Sequence, residues 1–385
     1  MKKNFFLLLC IINSILLGIS CDHKESNAGD FLSINKVGEI SIPIDQQTNQ
    51  RVNVKLNNIE DTAYLSFFNP TNYAIYIYNF EQKEVVDIIN LDKEGPNGIN
   101  LGGQLAPGYF IHTLDSIFVI GQKDHYLINN KGEVLIKGRF GDATNSTTSV
   151  SEKILSFNNA SYFKDKKLYS GITSYVQKES APNLQAVLPV TMDTILSEYM
   201  KESILVPKYE EILELKEKLR KEQRYVAMGL SFERNKECLY ASTPVSDTVY
   251  IFKDFQLIKK VYTGTNEVTI SSNSDYFDQF RNSTYKIARE YPFYKDLMVN
   301  DEYLYRVLSK GNTTTIHPET QEEELTSKGD YLIVYNLKTD QVNHLELSPN
   351  TIRYHTGFTL ENKLYFKLKE QPSENNIRFG VYEVK

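Results

Sequence analysis

The residues of this chain best suited to hold or transform a ligand are scattered along its length. His112 lies in the alternating run Gly108-Tyr109-Phe110-Ile111-His112-Thr113, and His355 follows Arg353 and Tyr354 in a second short strand-like run. Glu94 and Asn97 flank the corner Glu94-Gly95-Pro96-Asn97-Gly98, where Gly and Pro set a tight turn that can aim both side chains at one point. Arg139, Arg289, Tyr291 and Arg353 fall at comparable strand or rim positions. Imidazoles, guanidinium groups and tyrosines brought to one mouth suit an anionic or sugar ligand, through charge-assisted hydrogen bonds and ring stacking. Each residue also has a plainer reading. The histidines can bond to neighbouring backbone, and the Glu94–Gly98 turn can be a structural corner.

Other chemistries find little support. The sequence contains no G-x-S-x-G elbow, H-E-x-x-H pair, phosphate loop or C-x-x-C. Asn90-Leu91-Asp92-Lys93-Glu94-Gly95 starts like a calcium loop, but its twelfth position is Leu101 where a bidentate Glu belongs. No metal and no cofactor is therefore expected. A formal net charge of -6 argues against a nucleic-acid partner, which calls for a basic surplus.

The elements that must position these residues are read from a recurring phrase: a polar turn, then an aliphatic–aromatic strand. It stands at Asp115–Val119, Asp165–Tyr169, Asn235–Tyr240, Asp301–Tyr305 and Glu361–Tyr365, with a weaker copy at Asp61–Leu65. The 26 Tyr and 20 Phe, against no Trp, fit half-buried strand surfaces. Repeats of about 50–70 residues, each with room for four strands, predict an all-β, six-bladed β-propeller. Its blades fall near 51–92, 105–140, 155–205, 225–265, 284–348 and 352–385. The last is one strand short, and the orphan run Val37–Pro43 is predicted to complete it and close the ring. A β-sandwich with insertions is the alternative. Pro207–Arg224 carries a helical pattern, with Ile212, Leu215 and Leu219 in one stripe, and predicts one inserted helix around 207–224. Asp-Ser/Thr-aliphatic triplets at Asp61, Asp115, Asp193 and Asp247 read as strand-entry turns.

The first residues read as an address rather than as fold. Lys2 and Lys3 precede an apolar run from Phe5 to Ile19, and the chain turns polar directly after Cys21. That describes a secretory signal. Leu17-Gly18-Ile19-Ser20-Cys21 resembles a bacterial lipobox, although Gly18 stands where an aliphatic residue is usual. The organisation expected is a lipoprotein signal peptide over 1–20, a tether over 21–35 and a single propeller domain over 36–385. Cys21 carries the lipid, and the remaining Cys238 reads as a small buried hydrophobe.

The lipobox-like start, Lys93-Glu94-Gly95-Pro96-Asn97-Gly98 and Gly108–Phe118 together resemble an uncharacterised family of Bacteroidota lipoproteins with TolB-like six-bladed propellers. That resemblance implies export, with lipid anchoring at the cell envelope and residence at the outer membrane. It brings no activity. The function expected is a lipid-anchored binding or scaffold protein for a glycan, peptide or protein partner, with the membrane contacted through the lipid. The alternative is a channel-mouth lyase or hydrolase acting on an anionic or sugar substrate.

Overall fold

The computed structural model describes residues 33–48, 52–100, 108–120, 124–139, 231–235, 238–242, 247–253, 256–268, 292–316, 319, 323–349, 351–353, 356–371 and 373–385, with short strand segments between 153 and 205. All regular elements among them are strands.

β1 (Ile34–Pro43) precedes blade one, which is β2 (Val54–Ile59), β3 (Thr62–Asn69), β4 (Ala74–Asn79) and β5 (Glu84–Asn90). Blade two is β6 (Gly108–Thr113), β7 (Ser116–Ile120), β8 (Asp124–Ile128) and β9 (Val134–Arg139). Short pieces follow: β10 (Lys153–Ile154), β11 (Tyr162–Lys164), β12 (Lys167–Tyr169), β13 (Ile172–Thr173), β14 (Ala186–Val187), β15 (Val190–Thr191) and β16 (Ile204–Leu205). Blade three is β17 (Ser231–Asn235), β18 (Cys238–Ser242), β19 (Thr248–Lys253) and β20 (Gln256–Tyr262). Blade four begins with β21 (Phe293–Val299) and β22 (Tyr303–Ser309). A side hairpin of β23 (Asn312–Ile316) and β24 (Glu323–Ser327) then intervenes before β25 (Asp330–Asn336) and β26 (Val342–Leu347) complete the sheet. Blade five is β27 (Phe358–Leu360), β28 (Lys363–Lys367) and β29 (Asn376–Val384), with β1 paired antiparallel on β29 as its outer edge. The N-terminal strand thus ties the start of the fold to its end.

Every blade is antiparallel in simple order, which gives the β-propeller fold. β2 lies against β6 on one side and β27 on the other, and β21 lies between β27 and β17. The apolar faces meet in the seams. Phe67, Tyr76 and Tyr78 of blade one stack among themselves and pack with Tyr365, Ile377 and Phe379 of blade five. Each such buried side chain contributes roughly 1.5–3 kcal/mol. Glu60 and Asp61, both at positive φ, form the β2–β3 corner, a primed turn whose twist suits the hairpin. That matches the turn reading of the Asp61 triplet.

Two expectations are corrected. The described residues form five four-stranded blades, not six. Among the described residues, the phrase at Asp165–Tyr169 does not head a full blade. Its strand β12 joins only a three-stranded sheet, β11-β12-β15, beside two-residue pairings β10-β13 and β14-β16. Pro189 supplies a reason, because it interrupts the apolar run Ala186–Thr191 and has no backbone N–H for a ladder. The two halves of that run accordingly go to different sheets. The inserted helix is also corrected: there is no helix among the described residues, and segment 207–224 lies outside them.

Candidate functional site

Because each blade has four antiparallel strands, every innermost strand starts at the same end of the propeller and runs in the same sense. That end, where first strands begin, second strands finish and third strands begin, is called here the entry end. The other carries the hairpins between first and second strands.

The residues singled out in the sequence do not converge on one point. Asn97 is committed to structure: its Oδ1 accepts the backbone N–H of Val134 at 3.1 Å. Its turn is closed by Gly98 N–H donating to Gly95 O (3.0 Å) and by Ile99 N–H donating to Asp92 O (2.8 Å). A Cβ on Gly98 would meet Glu94 backbone at 2.8 Å, so the corner needs glycine there. Glu94 is exposed on it. His112 is the extra residue of a β-bulge between Ile111 and Thr113, half-buried beside the Phe110 ring at 6.4 Å. Burial holds its imidazole below the ordinary histidine range. His112 lies near the hairpin end of β6, roughly 13 Å along the strand from Gly108 at about 3.3 Å per residue. Arg353 lies at the entry end, just ahead of β27. Arg139 ends β9 opposite Asp124. Cys21, Arg289, Tyr291 and His355 lie outside the described residues.

What the fold does gather is a set of charged residues at the entry end of blades four and five. Lys295 is the extra residue of a bulge in β21, between Tyr294 and Asp296, and bulges re-aim side chains. Its ammonium reaches Asp330 of β25 at 3.1 Å, with both side chains buried. Burial lowers Lys295 to about 8, opposed by Asp330. In blade five, Arg353 N–H donates to Lys367 O at 2.8 Å, extending the β28 pairing outward. Lys367 is fully buried, and its ammonium donates to Val52 O at 2.8 Å across the seam to blade one. Burial, and then the neighbouring Arg353 charge, lowers it to about 7. On the other side of blade four, Arg306 is fully buried with its guanidinium 3.2 Å from the Tyr294 ring centroid. Its Nη1 donates to Thr263 Oγ1 at 2.8 Å. Burial lowers Arg306 to about 10, opposed by Tyr294 and Asp247.

Sequence reasoning passed over Lys295, Arg306 and Lys367. A signal was present: each interrupts an aliphatic–aromatic run, as in Leu304-Tyr305-Arg306-Val307-Leu308 and Tyr365-Phe366-Lys367-Leu368. A cation inside a central strand is costly unless something answers it.

A ring of twisted four-stranded sheets with charges buried at one end defines a β-propeller with a polar entry face. Residues 31–336 match the family described as "Domain of unknown function (DUF4221)", and the chain belongs to that family. It is similar to the crystal structure of a DUF4221 member from Bacteroides vulgatus ATCC 8482, with 17% identity and a TM-score of 0.68 over 92% of this chain and 98% of that one. It is also similar to a protein from Bacteroides fragilis NCTC 9343 described as exported, with 14% identity and a TM-score of 0.53 over 94% and 98% of the two chains. At these identities the likeness shows the fold. No curated protein matches the sequence.

Proposed function

We propose that this protein is exported, anchored through a lipid on Cys21 at the cell envelope, and binds a polar ligand at the entry end of its propeller. The ligand class is a glycan, a peptide or an envelope protein. The observation that carries the binding half is the burial of Lys295, Asp330 and Lys367 where first strands begin. Charges are kept from water there at a cost in stability, and such groups concentrate at functional sites. Export is supported by the Lys2–Cys21 pattern and by the description of the Bacteroides fragilis relative. The lyase or hydrolase reading requires an acid and a base converging on one point. Among the described candidates, His112 and Arg353 stand at opposite ends of the innermost strands.

Two measurements test this. Cys21→Ser is expected to move the protein from the membrane pellet to the aqueous fraction and to abolish palmitate labelling. A variant that still pellets, beside a wild type that takes up no label, removes the anchor. For binding, a thermal-shift screen of neutral oligosaccharides, acidic oligosaccharides and peptides is expected to give a saturable rise in Tm without turnover. Consumption of the bound compound transfers the case to the enzyme.

A further inference from the structure

We propose that the entry end of blades four and five is a binding site for a carboxylate- or sulfate-bearing ligand, with Arg353 and Lys369 as contact groups and Lys367 and Lys295 behind them. This rests on the binding reading above and narrows it to the charge of the ligand.

The backbone brings these residues together. Residues 351–353 run antiparallel to 367–369: Arg353 N–H donates to Lys367 O at 2.8 Å, Lys369 N–H donates to Thr351 O at 3.3 Å, and Ile352 bridges Leu368 between them. Directly opposed residues share a face, with Cβ atoms about 5 Å apart, and alternate residues return to that face. Arg353, Lys367 and Lys369 therefore share one face of the extension, while buried Ile352 and Leu368 take the other. Arg353 is partly exposed and Lys369 exposed, so both can meet a ligand, while Lys367 is fully buried. From blade four, the β21 bulge holds Lys295 in its pair with Asp330.

The electrostatics agree with this placement. Burial is the main cause that lowers both buried ammonium groups; Arg353 lowers Lys367 further, and Lys369 lowers Lys295 slightly, against the raising effect of Asp330 and Asp296. Like charges held this close repel, and more strongly where the dielectric is low. Lys367 donates to a carbonyl, Val52 O, whereas Lys295 is paired with the Asp330 carboxylate. An arriving anion lowers the repulsion at the extension without displacing the Lys295–Asp330 pair. Arg353 can offer a two-pronged donor to a planar carboxylate or to two sulfate oxygens. Neutral sugars offer nothing that relieves the repulsion.

The test is calorimetric titration of the mature chain with trigalacturonate, with its fully methyl-esterified form and with a sulfated chondroitin disaccharide. At least one charged compound is expected to bind saturably, with affinity falling as salt rises, and the ester is expected not to bind. Arg353→Gln/Lys369→Gln is expected to weaken that binding by about 10- to 100-fold, the loss of one or two charge-assisted contacts. Both residues are at least partly exposed, so the double variant should fold, and unchanged far-UV circular dichroism and Tm check that it does. A response to trigalacturonate alone assigns carboxylates, one to the disaccharide alone assigns sulfate esters, and both together assign anions in general. Equal binding of acid and ester, or an unchanged Kd in the folded double variant, overturns the proposal. If neither charged compound binds but a neutral oligosaccharide does, the binding reading stands and this one falls. If no compound in either screen binds, both fall.

Discussion

Two fully buried cations occupy similar places in neighbouring blades, and their surroundings differ. Arg306 lies on β22, the second strand of blade four, and Lys367 on β28, the second strand of blade five. Around Arg306 the seam with blade three is closed by complementary groups. The Tyr294 ring lies under the guanidinium, Thr263 Oγ1 accepts from it, and the Tyr294 hydroxyl donates to Asp247 Oδ1 at 2.6 Å. Lys367 instead donates to the Val52 carbonyl, and Arg353, of its own sign, bears on it. Burial alone therefore does not separate a latch from a site. What answers the charge does. A guanidinium, planar and with five donors, can be stacked and bonded at once in a tight seam, whereas an ammonium is a compact point charge that sheds its proton readily when buried.

The largest expected effect tests the latch. Arg306→Leu removes the cation stacked on the Tyr294 ring and its charge-assisted bond to Thr263 Oγ1, a loss of roughly 2–4 kcal/mol. Lys367→Met keeps length and volume and removes a desolvated charge, so at pH 7 it is expected to cost less than about 1 kcal/mol or to stabilise. Urea denaturation of the two variants, compared with the wild type, reads the difference. Equal losses would erase the distinction between the seams.

Parts of this arrangement were legible in the sequence, and for physical reasons. The aromatic phrases at Asp115, Asn235, Asp301 and Glu361 each mark the entry to a second strand, because a turn followed by alternating aromatic and aliphatic residues is what a two-sided central strand requires. The pairing of the N-terminal run with the last blade followed from counting strands. The same phrase misled at Asp165, where the interruption at Pro189 outweighs the local alternation. The site was less legible. A lysine or arginine inside an apolar run announces a buried charge, yet its fate depends on partners far along the chain: Thr263 is 43 residues from Arg306, and Val52 is 315 from Lys367. The bulges that set His112 and Lys295 carry no composition signal. Asn97 was correctly placed in a turn, but its acceptor role toward Val134 needed the neighbouring hairpin to be in place.

The second effect sharpens the comparison through pH. Lys367 has an ordinary value of 10.5 and is lowered to about 7 in the folded chain. Below about 7 it is charged in both states, and the burial penalty is fully present. Between about 7 and 10.5 the unfolded chain binds more protons, so stability rises with pH as the penalty fades. Lys295, lowered to about 8, adds in the same direction over a narrower window. Buried tyrosines such as Tyr109 and Tyr305, raised above the ordinary 10, act oppositely only above about pH 10. From pH 7 to 9 the wild type is expected to gain roughly 3–4 kcal/mol, about 2 of it from Lys367, and Lys367→Met to lose that share. Arg306, charged throughout this window, contributes nothing to it. A slope undiminished in Lys367→Met places the titrating group elsewhere.

The smallest effect separates the ring from the hydroxyl in the Arg306 latch. Tyr294→Phe keeps an aromatic face under the guanidinium and removes one O–H donor, which serves Asp247 Oδ1 at 2.6 Å with Thr263 O as a longer second acceptor at 3.3 Å. Asp247 is only partly buried and can turn to water, so its loss is largely compensated. The expected cost is about 1 kcal/mol, the usual net worth of a buried hydrogen bond. The stacked cation, which the Phe preserves, supplies the rest of the latch. Combining Tyr294→Phe with Arg306→Leu should give clear non-additivity, because the two side chains touch. Combining it with Lys367→Met should be additive within about 0.5 kcal/mol, because the partners described for the two seams are different residues. Coupling in the second pair would mean that blade four transmits strain from one seam to the other. The latch and the anion site would then be one device rather than two.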